Sequence, residues 1–268
     1  MIKRIFTKKS VLILLVVLFV SACGSVMLTN RRQFLLYSDS EVNQMSSLSY
    51  NEFLSTNKLS KDYKGQQRIE RIGARISKAV ETYMISQGLE DEVKGFDWEF
   101  NLVESKELNA WCMPGGKVVF YEGIIPVCAN DDGIAVVMGH EIAHAVAKHS
   151  NERMSQQALL SVGQQLAMIA VSDESQVTRT LTNVAVGLGS QYGIVLPFSR
   201  KHESEADYLG MIFMTMAGYN PAEAVDFWTR MSKSGGKSVP EFMSTHPSDE
   251  TRVKALQSYL KEMDKYRP

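Results

Sequence analysis

The length, composition and charge of the chain indicate one folded domain and argue against a nucleic-acid-binding or multi-span membrane protein. Its 268 residues carry 29 Lys and Arg against 30 Asp and Glu, a formal net charge of −1 with histidine neutral. No basic stripe interrupts this balance, so we expect no nucleic acid as a partner. Beyond the first twenty residues, no segment reaches the roughly 18 apolar residues typical of a membrane-spanning helix.

The N-terminal residues predict export and a lipid anchor. Four basic residues within the first nine positions precede an unbroken apolar run over residues 11–20, which is typical of a signal peptide, here residues 1–22. The tetrapeptide VSAC that ends at Cys23 resembles a bacterial lipobox, whose cysteine is acylated. Several acyl chains suffice for stable anchoring. Because Gly24 rather than Asp follows, we expect sorting to the outer membrane of a Gram-negative bacterium, facing the periplasm.

The predicted elements form a single domain over residues 39–268, which follows a lipidated tether over residues 23–38. Hydrophobic periodicity, caps and turn residues predict, in chain order, helices over 40–57 and 62–88, a strand over 96–103, two short strands over 109–113 and 117–121 around a Pro-Gly-Gly turn, and helices over 131–149, 155–171, 176–189 and 200–217. Further helices begin at Asn220-Pro221 and at Ser248, the last reaching about Lys265. We expect an α+β fold, predominantly helical, with a small β-sheet near the helix over 131–149.

Several local features of the domain leave alternatives open. Asp131 or Asp132 is the expected N-cap of the helix over 131–149. Cys112 and Cys128 could form a disulfide in an oxidising compartment or remain buried free thiols. They lack a C-x-x-C arrangement, which argues against a redox protein. The apolar region over residues 158–196 could be a core, a lid or a partner surface.

The chemistry of the chain centres on His140-Glu141-Ile142-Ala143-His144, an H-E-x-x-H sequence within an apolar helical pattern. Residues four apart lie on one face of a helix, so both imidazoles can reach one metal ion. Glu141 lies next to this face, where a general base for hydrolysis belongs. The pattern predicts a catalytic zinc site.

A catalytic zinc usually has three protein ligands, so a third must come from elsewhere in the chain. Glu203 and Asp207 are four apart and share one face of a predicted helix. Glu203 could bind the metal while Asp207 accepts a hydrogen bond from a ligand histidine. The alternative is an acidic helix face in contact with solvent.

The two motifs together resemble one family of zinc peptidases. H-E-x-x-H followed by E-x-x-A-D is the signature of the family that includes the CAAX prenyl proteases and the HtpX proteases. Matching stretches also include Arg31-Arg32-Gln33 and Thr245-His246-Pro247, and the chain looks most like the small periplasmic lipoprotein members, the LoiP-like branch. The resemblance implies a zincin (gluzincin-like) catalytic domain with one Zn²⁺ per chain. Its implied residues are the ligands His140, His144 and Glu203, the base Glu141, and Asp207 hydrogen-bonded to a ligand.

The remaining histidines and Arg252 have several candidate roles. Hydrolysis needs a donor for the developing oxyanion, and the candidates are His246, His202 and Arg252, with His246 preferred because it follows a flexible loop. His246 could instead be a fourth zinc ligand that holds the enzyme latent, or a packing residue. His149 is expected on the opposite side of the helix that carries His140, in a structural role. His202 is expected to point away from the metal.

The function predicted from these features is a zinc-dependent endopeptidase that degrades misfolded or unassembled envelope proteins. The strand with Asn109 and Ala110 could bind an extended substrate along its edge, or could be an ordinary edge strand. The expected partners are unfolded or misfolded polypeptides as substrates, outer-membrane proteins or their assembly machinery, and the membrane through the lipid anchor. The alternative is a zinc-stabilised periplasmic chaperone or assembly factor without essential proteolysis.

Overall fold

The fold is α+β and predominantly helical, as the sequence predicts. The structure, a computed structural model, describes residues 23–26, 28–234, 241–246 and 250–268. The predicted signal peptide over residues 1–22, the helix cap at Ser248 and most of the loop preceding Glu241 lie outside the described residues. In the described part of the chain, no helix is both long and apolar enough to cross a membrane.

Among the residues that the structure describes, five short strands form two sheets. A hairpin consists of β1 (Cys23–Ser25) and β2 (Arg32–Phe34). The second sheet has the order β3-β5-β4, in which β3 (Glu99–Val103) lies parallel to β5 (Lys117–Tyr121) and β4 (Ala110–Met113) lies antiparallel to it. The predicted turn between β4 and β5 is present, with Gly115 and Gly116 both at positive φ. Within the described residues, β4 is therefore an edge strand.

The α-helices account for most of the described chain. They are α1 (Asp39–Thr56), α2 (Tyr63–Ser86), α3 (Glu90–Val93), α4 (Ile125–Cys128), α5 (Asp131–Val146), α6 (His149–Ala170), α7 (Gln176–Ser190), α8 (Leu196–Met216), α9 (Glu223–Lys233), α10 (Glu241–Thr245) and α11 (Glu250–Met263). Helix α5 carries the H-E-x-x-H motif, and we call it the motif helix.

The motif helix forms the centre of the core. Every residue from Gly133 to Val146 is buried, and so is every residue of β5. The helix packs against α2, α8 and β4, which surround it on different sides. Burial on all sides explains its nearly continuous apolar sequence. The polar side chains of the motif therefore lie in an environment from which water is largely excluded.

The ends of the motif helix differ from the prediction. Its N-cap is Asn130, whose Oδ1 accepts a hydrogen bond from the backbone N–H of Gly133 at 2.8 Å; Asp131 and Asp132 lie inside the helix. The helix ends at Val146 rather than at residue 149, because Lys148 adopts a left-handed conformation with φ of 57° and redirects the chain. His149 begins α6, so its predicted place on the opposite side of the motif helix is wrong.

The described residues of the predicted tether, 23–26 and 28–38, contact the rest of the domain. Besides the hairpin, Val26 is buried, and the backbone N–H of Leu36 donates to Ser155 Oγ on α6 at 2.8 Å. Asn151 of α6 donates to the carbonyl of Tyr37 at 2.8 Å. This segment therefore packs onto the start of α6.

Cys112 and Cys128 are both buried free thiols, which resolves the question that the sequence left open. Burial raises the pKa of both thiols, to about 12 for Cys128. Neither is a reactive thiolate at neutral pH.

The motif helix and α8 touch backbone to backbone. A Cβ added to Gly139 would lie 2.7 Å from the carbonyl oxygen of Gly210, and one added to Gly210 would lie 2.8 Å from the backbone nitrogen of His140. Only glycine permits this approach. The contact fixes how far His140 lies from the side chains that α8 presents one and two turns before Gly210.

Substituting Gly210→Ala should separate these two helices. Overpacking of this kind costs about 1–3 kcal/mol, a fall in Tm of roughly 2–12 °C for a domain of this size. We also expect weaker zinc binding, because the candidate ligands are divided between the two helices. Thermal melting and zinc competition with a chelator measure both effects. Gly163→Ala in α6 is the matched control, since its Cβ would meet nothing within 4 Å. Equal behaviour of the two variants would contradict this account of the contact.

Candidate metal centre

Four buried side chains from three parts of the chain converge on one point. His140 and His144 come from the motif helix, Glu203 from α8, and His246 from the residue that follows α10. One ligand atom of each lies within 4.8 Å of the others. The three predicted ligands are thus brought together, and His246 lies with them.

The distances between these atoms suit a tetrahedral metal site. His140 Nε2 lies 3.1 Å from His144 Nε2 and 3.3 Å from Glu203 Oε2, and His144 Nε2 lies 3.4 Å from Glu203 Oε1. Zinc bonds of about 2.0–2.1 Å in a tetrahedron separate the ligand atoms by roughly 3.3–3.4 Å. Imidazole nitrogens with a carboxylate oxygen are donors that zinc accepts. The residues present therefore fit a zinc ion.

The electrostatics of the donor group favour a cation. Burial lowers the pKa of His144 to about 3, which leaves its imidazole neutral. Burial also opposes protonation of His140, but hydrogen bonds to Asp207 and Glu203 outweigh it and raise its pKa to about 9. Although burial alone would raise the pKa of Glu203, the surrounding imidazoles hold it well below its usual range. Glu203 is therefore an anion, and metal binding must displace the proton of His140.

Asp207 orients His140 from the side opposite to the donor group. His140 Nδ1 lies 3.0 Å from Asp207 Oδ1, so its N–H can donate there and leave Nε2 free to bind a metal. Arg252 donates to both carboxylate oxygens of Asp207, at 2.7 and 2.8 Å. Its guanidinium also lies 3.4 Å from the ring centroid of Trp228. Arg252, one of the predicted oxyanion donors, is thus held against Asp207 by ionic and cation–π contacts.

Glu141 lies beside the donor group and is not part of it. Its carboxylate is buried, and its Oε1 has no hydrogen-bond partner among the described residues. Burial raises its pKa. A buried carboxylate oxygen without a hydrogen-bond partner costs free energy, and such atoms are typically found where a function requires them.

His246 is in direct contact with two of the candidate ligands. Its Nδ1 is 3.1 Å from His140 Nε2 and 2.9 Å from Glu203 Oε2, and its Nε2 is 3.4 Å from Glu141 Oε1. Phe242, one turn earlier in α10, donates its backbone N–H to the carbonyl of Leu108 at 3.1 Å and stacks on Trp228. This contact docks the residues that carry His246 next to the start of β4.

The structure places the other predicted site residues outside the donor group. Asn109 immediately precedes the edge strand β4, and Ala110 is its buried first residue, so their role in substrate binding stays a prediction. His202 points away from the donors, as expected, and contacts Glu152 at 3.0 Å. Cys23 pairs with Phe34 in the β1–β2 hairpin.

The sequence reasoning missed His149 as a neighbour of the site. Its Nδ1 lies 2.7 Å from His144 Nδ1, on the side of that ring away from the donor group. Burial holds the pKa of His149 well below its usual range, so its ring is neutral. The left-handed residue Lys148 creates this contact, and no glycine, asparagine or proline marks it in the sequence. The one hint in the sequence is that His149 is one of only 5 histidines in the chain.

A cavity of about 380 Å³ adjoins the donor group between α8 and α11. Its lining includes the buried residues Glu203, Asp207 and Arg252, and also Ser199 and Thr251, which are less buried. It provides space beside the candidate ligands that can accommodate part of a bound molecule.

The sequence that forms this site matches a known protein family. Residues 69–260 match the family model described as Peptidase family M48. The matched range contains the motif helix, all four donor residues, Asp207 and Arg252.

The chain is similar to several proteins named as metalloendopeptidases or as a protease. It is 35% identical to the mitochondrial metalloendopeptidase OMA1 of Schizosaccharomyces pombe over 189 residues, which are 70% of this chain and 52% of the relative. Identity to the mitochondrial metalloendopeptidase OMA1 of Homo sapiens is 26% over 252 residues, 90% of this chain and 46% of the relative. Identity to the beta-barrel assembly-enhancing protease of Escherichia coli (strain K12) is 26% over 171 residues, 62% and 35% respectively. The chain spans about half, or less, of these relatives, and the narrower resemblance to the LoiP-like branch stays a prediction.

Proposed function

Because the chain belongs to peptidase family M48, we propose that it is a zinc-dependent endopeptidase of the bacterial periplasm, anchored to the outer membrane by lipid on Cys23. The observation that carries the enzymatic part is the buried convergence of His140, His144 and Glu203 with Glu141 beside them. Structural zinc sites are typically cysteine-rich and have no use for an adjacent base. This donor set is that of a catalytic site.

The residues divide the work of peptide hydrolysis between them. Zinc in this site would polarise the scissile carbonyl and make a water molecule more acidic. Glu141 would take the proton of the attacking water and deliver it to the leaving amine. Its raised pKa makes it a stronger base than an exposed glutamate.

His246 fits a fourth ligand better than an oxyanion donor. An oxyanion donor must direct an N–H toward the substrate oxygen. Both ring nitrogens of His246 instead face atoms of the site: Nδ1 faces Glu203 and His140, and Nε2 faces Glu141. We take this arrangement as a resting form, from which His246 must withdraw before substrate and water can reach the donor group.

The edge of β4 provides a place for an extended substrate. A polypeptide that adds to a sheet edge is held by main-chain hydrogen bonds, which make little demand on its sequence. This suits unfolded or misfolded polypeptides. Leu108, just before β4, also accepts the hydrogen bond that docks α10. Substrate would therefore bind at Asn109 and Ala110 at the same end of β4 where His246 must withdraw.

The location and partners rest on other features. The signal-like N-terminus and the VSAC tetrapeptide support export, acylation and a place in the LoiP-like lipoprotein branch. One relative is named a beta-barrel assembly-enhancing protease, which supports outer-membrane proteins or their assembly machinery as partners. Relatives with mitochondrial names give no support to this location, which rests on the N-terminal residues of this chain.

The enzymatic part is tested by replacing Glu141. The protein starting after Cys23, loaded with zinc, should cleave casein, and Glu141→Gln should slow cleavage by about 10²–10⁴-fold because the general base is lost. Zinc content, measured by atomic absorption, should be equal in both. Equal cleavage by the two proteins would refute the role of Glu141. Absence of cleavage by both, with zinc bound, would favour a chaperone or a latent enzyme.

The resting-form assignment is tested by His246→Ala. Removal of a fourth ligand should weaken zinc binding and increase casein cleavage, roughly tenfold if the resting form is favoured by about 1.4 kcal/mol. Ser244→Ala is the control, since Ser244 is exposed and its hydroxyl donates to the carbonyl of Glu241 within the same helix. Slower cleavage with unchanged zinc affinity would identify an oxyanion donor instead. Unchanged rate and affinity would leave His246 a packing residue.

The anchor is tested by Cys23→Ser. In cells that are fed radiolabelled palmitate, the unaltered protein should incorporate label and sediment with outer membranes. The variant should lose the label and become extractable without detergent, because its acyl chains supply the membrane affinity. An unlabelled Cys23 protein would rule out lipidation.

A further inference from the structure

A continuous row of buried polar groups runs from the donor group to the N-terminal segment. His144 Nδ1 lies 2.7 Å from His149 Nδ1, and His149 Nε2 lies 2.9 Å from Glu205 Oε2. Arg31 Nε donates to the same Glu205 oxygen at 2.6 Å, and Thr29 donates to the other. The row therefore joins a residue of the H-E-x-x-H motif to one that precedes it by more than a hundred positions.

The direction of the hydrogen bonds in this row is fixed by the donor role of His144. If Nε2 of His144 presents its lone pair to a metal, the ring proton must lie on Nδ1, which then donates to His149 Nδ1. The other nitrogen of the neutral His149 must carry its proton, and it donates to the carboxylate of Glu205. Each member has a partner of the correct type. The carboxylate thereby fixes the tautomer and the ring orientation of His144 through one intervening imidazole.

Arg31 supplies the charge that this arrangement requires. Its NH1 and NH2 bind both oxygens of Glu152 at 3.0 and 2.7 Å, while its Nε binds Glu205. Both carboxylates are almost completely buried, and two buried anions side by side would repel one another without a cation. His202 contacts Glu152 and stacks on His149 at 4.2 Å. One guanidinium thus holds the carboxylates of α6 and α8 in place around the two histidines.

We propose that Arg31 is a positioning residue of the metal centre, which sets the orientation of the ligand His144 through Glu205 and His149. The inference rests on the proposed zinc enzyme and goes further, because it makes docking of residues 28–37 part of zinc binding. Arg31 is eight residues from Cys23, the proposed site of acylation. By thermodynamic reciprocity, bound zinc stabilises the docked N-terminal segment as much as the segment stabilises bound zinc.

The zinc affinity of Arg31→Gln tests the proposal. Loss of residues that orient a metal ligand typically weakens binding by about 10–100-fold, and we expect a chelator competition to show a rise in Kd of this order. Arg32→Gln is the matched control, because Arg32 is the neighbouring residue and is exposed. This substitution removes the same charge. Its Kd should not change.

Two further measurements separate positioning from mere packing. In the cobalt-substituted protein, the visible absorption bands report the geometry of the ligands, and Arg31→Gln should shift or weaken them while Arg32→Gln should not. The rise in Tm on adding zinc should also shrink in Arg31→Gln, because weaker binding stabilises less. If Tm falls equally with and without zinc, and Kd and the cobalt spectrum are unchanged, Arg31 is only structural and the proposal fails.

A conservative variant covers the case in which Arg31→Gln does not fold. Arg31→Lys keeps the positive charge and loses the fork that binds two carboxylates at once. It should fold and bind zinc less tightly than the unaltered protein; equal affinity would overturn the proposal. Failure of the unaltered protein to bind zinc would refute the proposed enzyme as well, whereas equal zinc affinity across these variants would refute only the positioning role.

Discussion

The metal centre depends on the backbone contact between the motif helix and α8 at Gly139 and Gly210. A side chain at either position would hold the helices further apart, and the separation of His140 from Glu203 would grow by a similar amount. Ligand atoms tolerate deviations of only about 0.2 Å from their ideal bond lengths. These two glycines, which are not ligands themselves, therefore determine the distance between candidate ligands on the two helices.

The same stretch of α8 positions both candidate ligand histidines of the motif helix, His140 and His144. Glu203 and Asp207 lie one turn apart and face the motif helix, where one meets the donor group and the other meets Nδ1 of His140. Glu205, between them in sequence, faces α6 and meets His149. Each ligand histidine is thus held at its second nitrogen, one directly by a carboxylate and the other through an imidazole.

The sequence predicted the parts of the site that depend on helical spacing. His140 and His144 are four apart, as are Glu203 and Asp207, and the periodicity of 3.6 residues places each pair on one face. The parts that it missed depend on tertiary contacts. Helical spacing alone predicts His149 on the far side of the motif helix, because nothing in the sequence marks the left-handed turn at Lys148. Arg31 stands out only as part of a stretch that matches the family, since a charged residue near an N-terminus has no spacing that reveals its partners.

The contacts at Nδ1 of His140 and at Nδ1 of His144 differ in which part of the chain provides them. Asp207 and Arg252, which hold His140, both lie within the range 69–260 that matches the family. Glu205 and Glu152 also lie in that range, but Arg31, which neutralises them, does not. A chain restricted to residues 69–260 would retain every candidate ligand and would lose the guanidinium that Glu152 and Glu205 both contact. The motif therefore identifies the candidate ligands, whereas the proposed positioning of one of them involves a residue that the motif does not include.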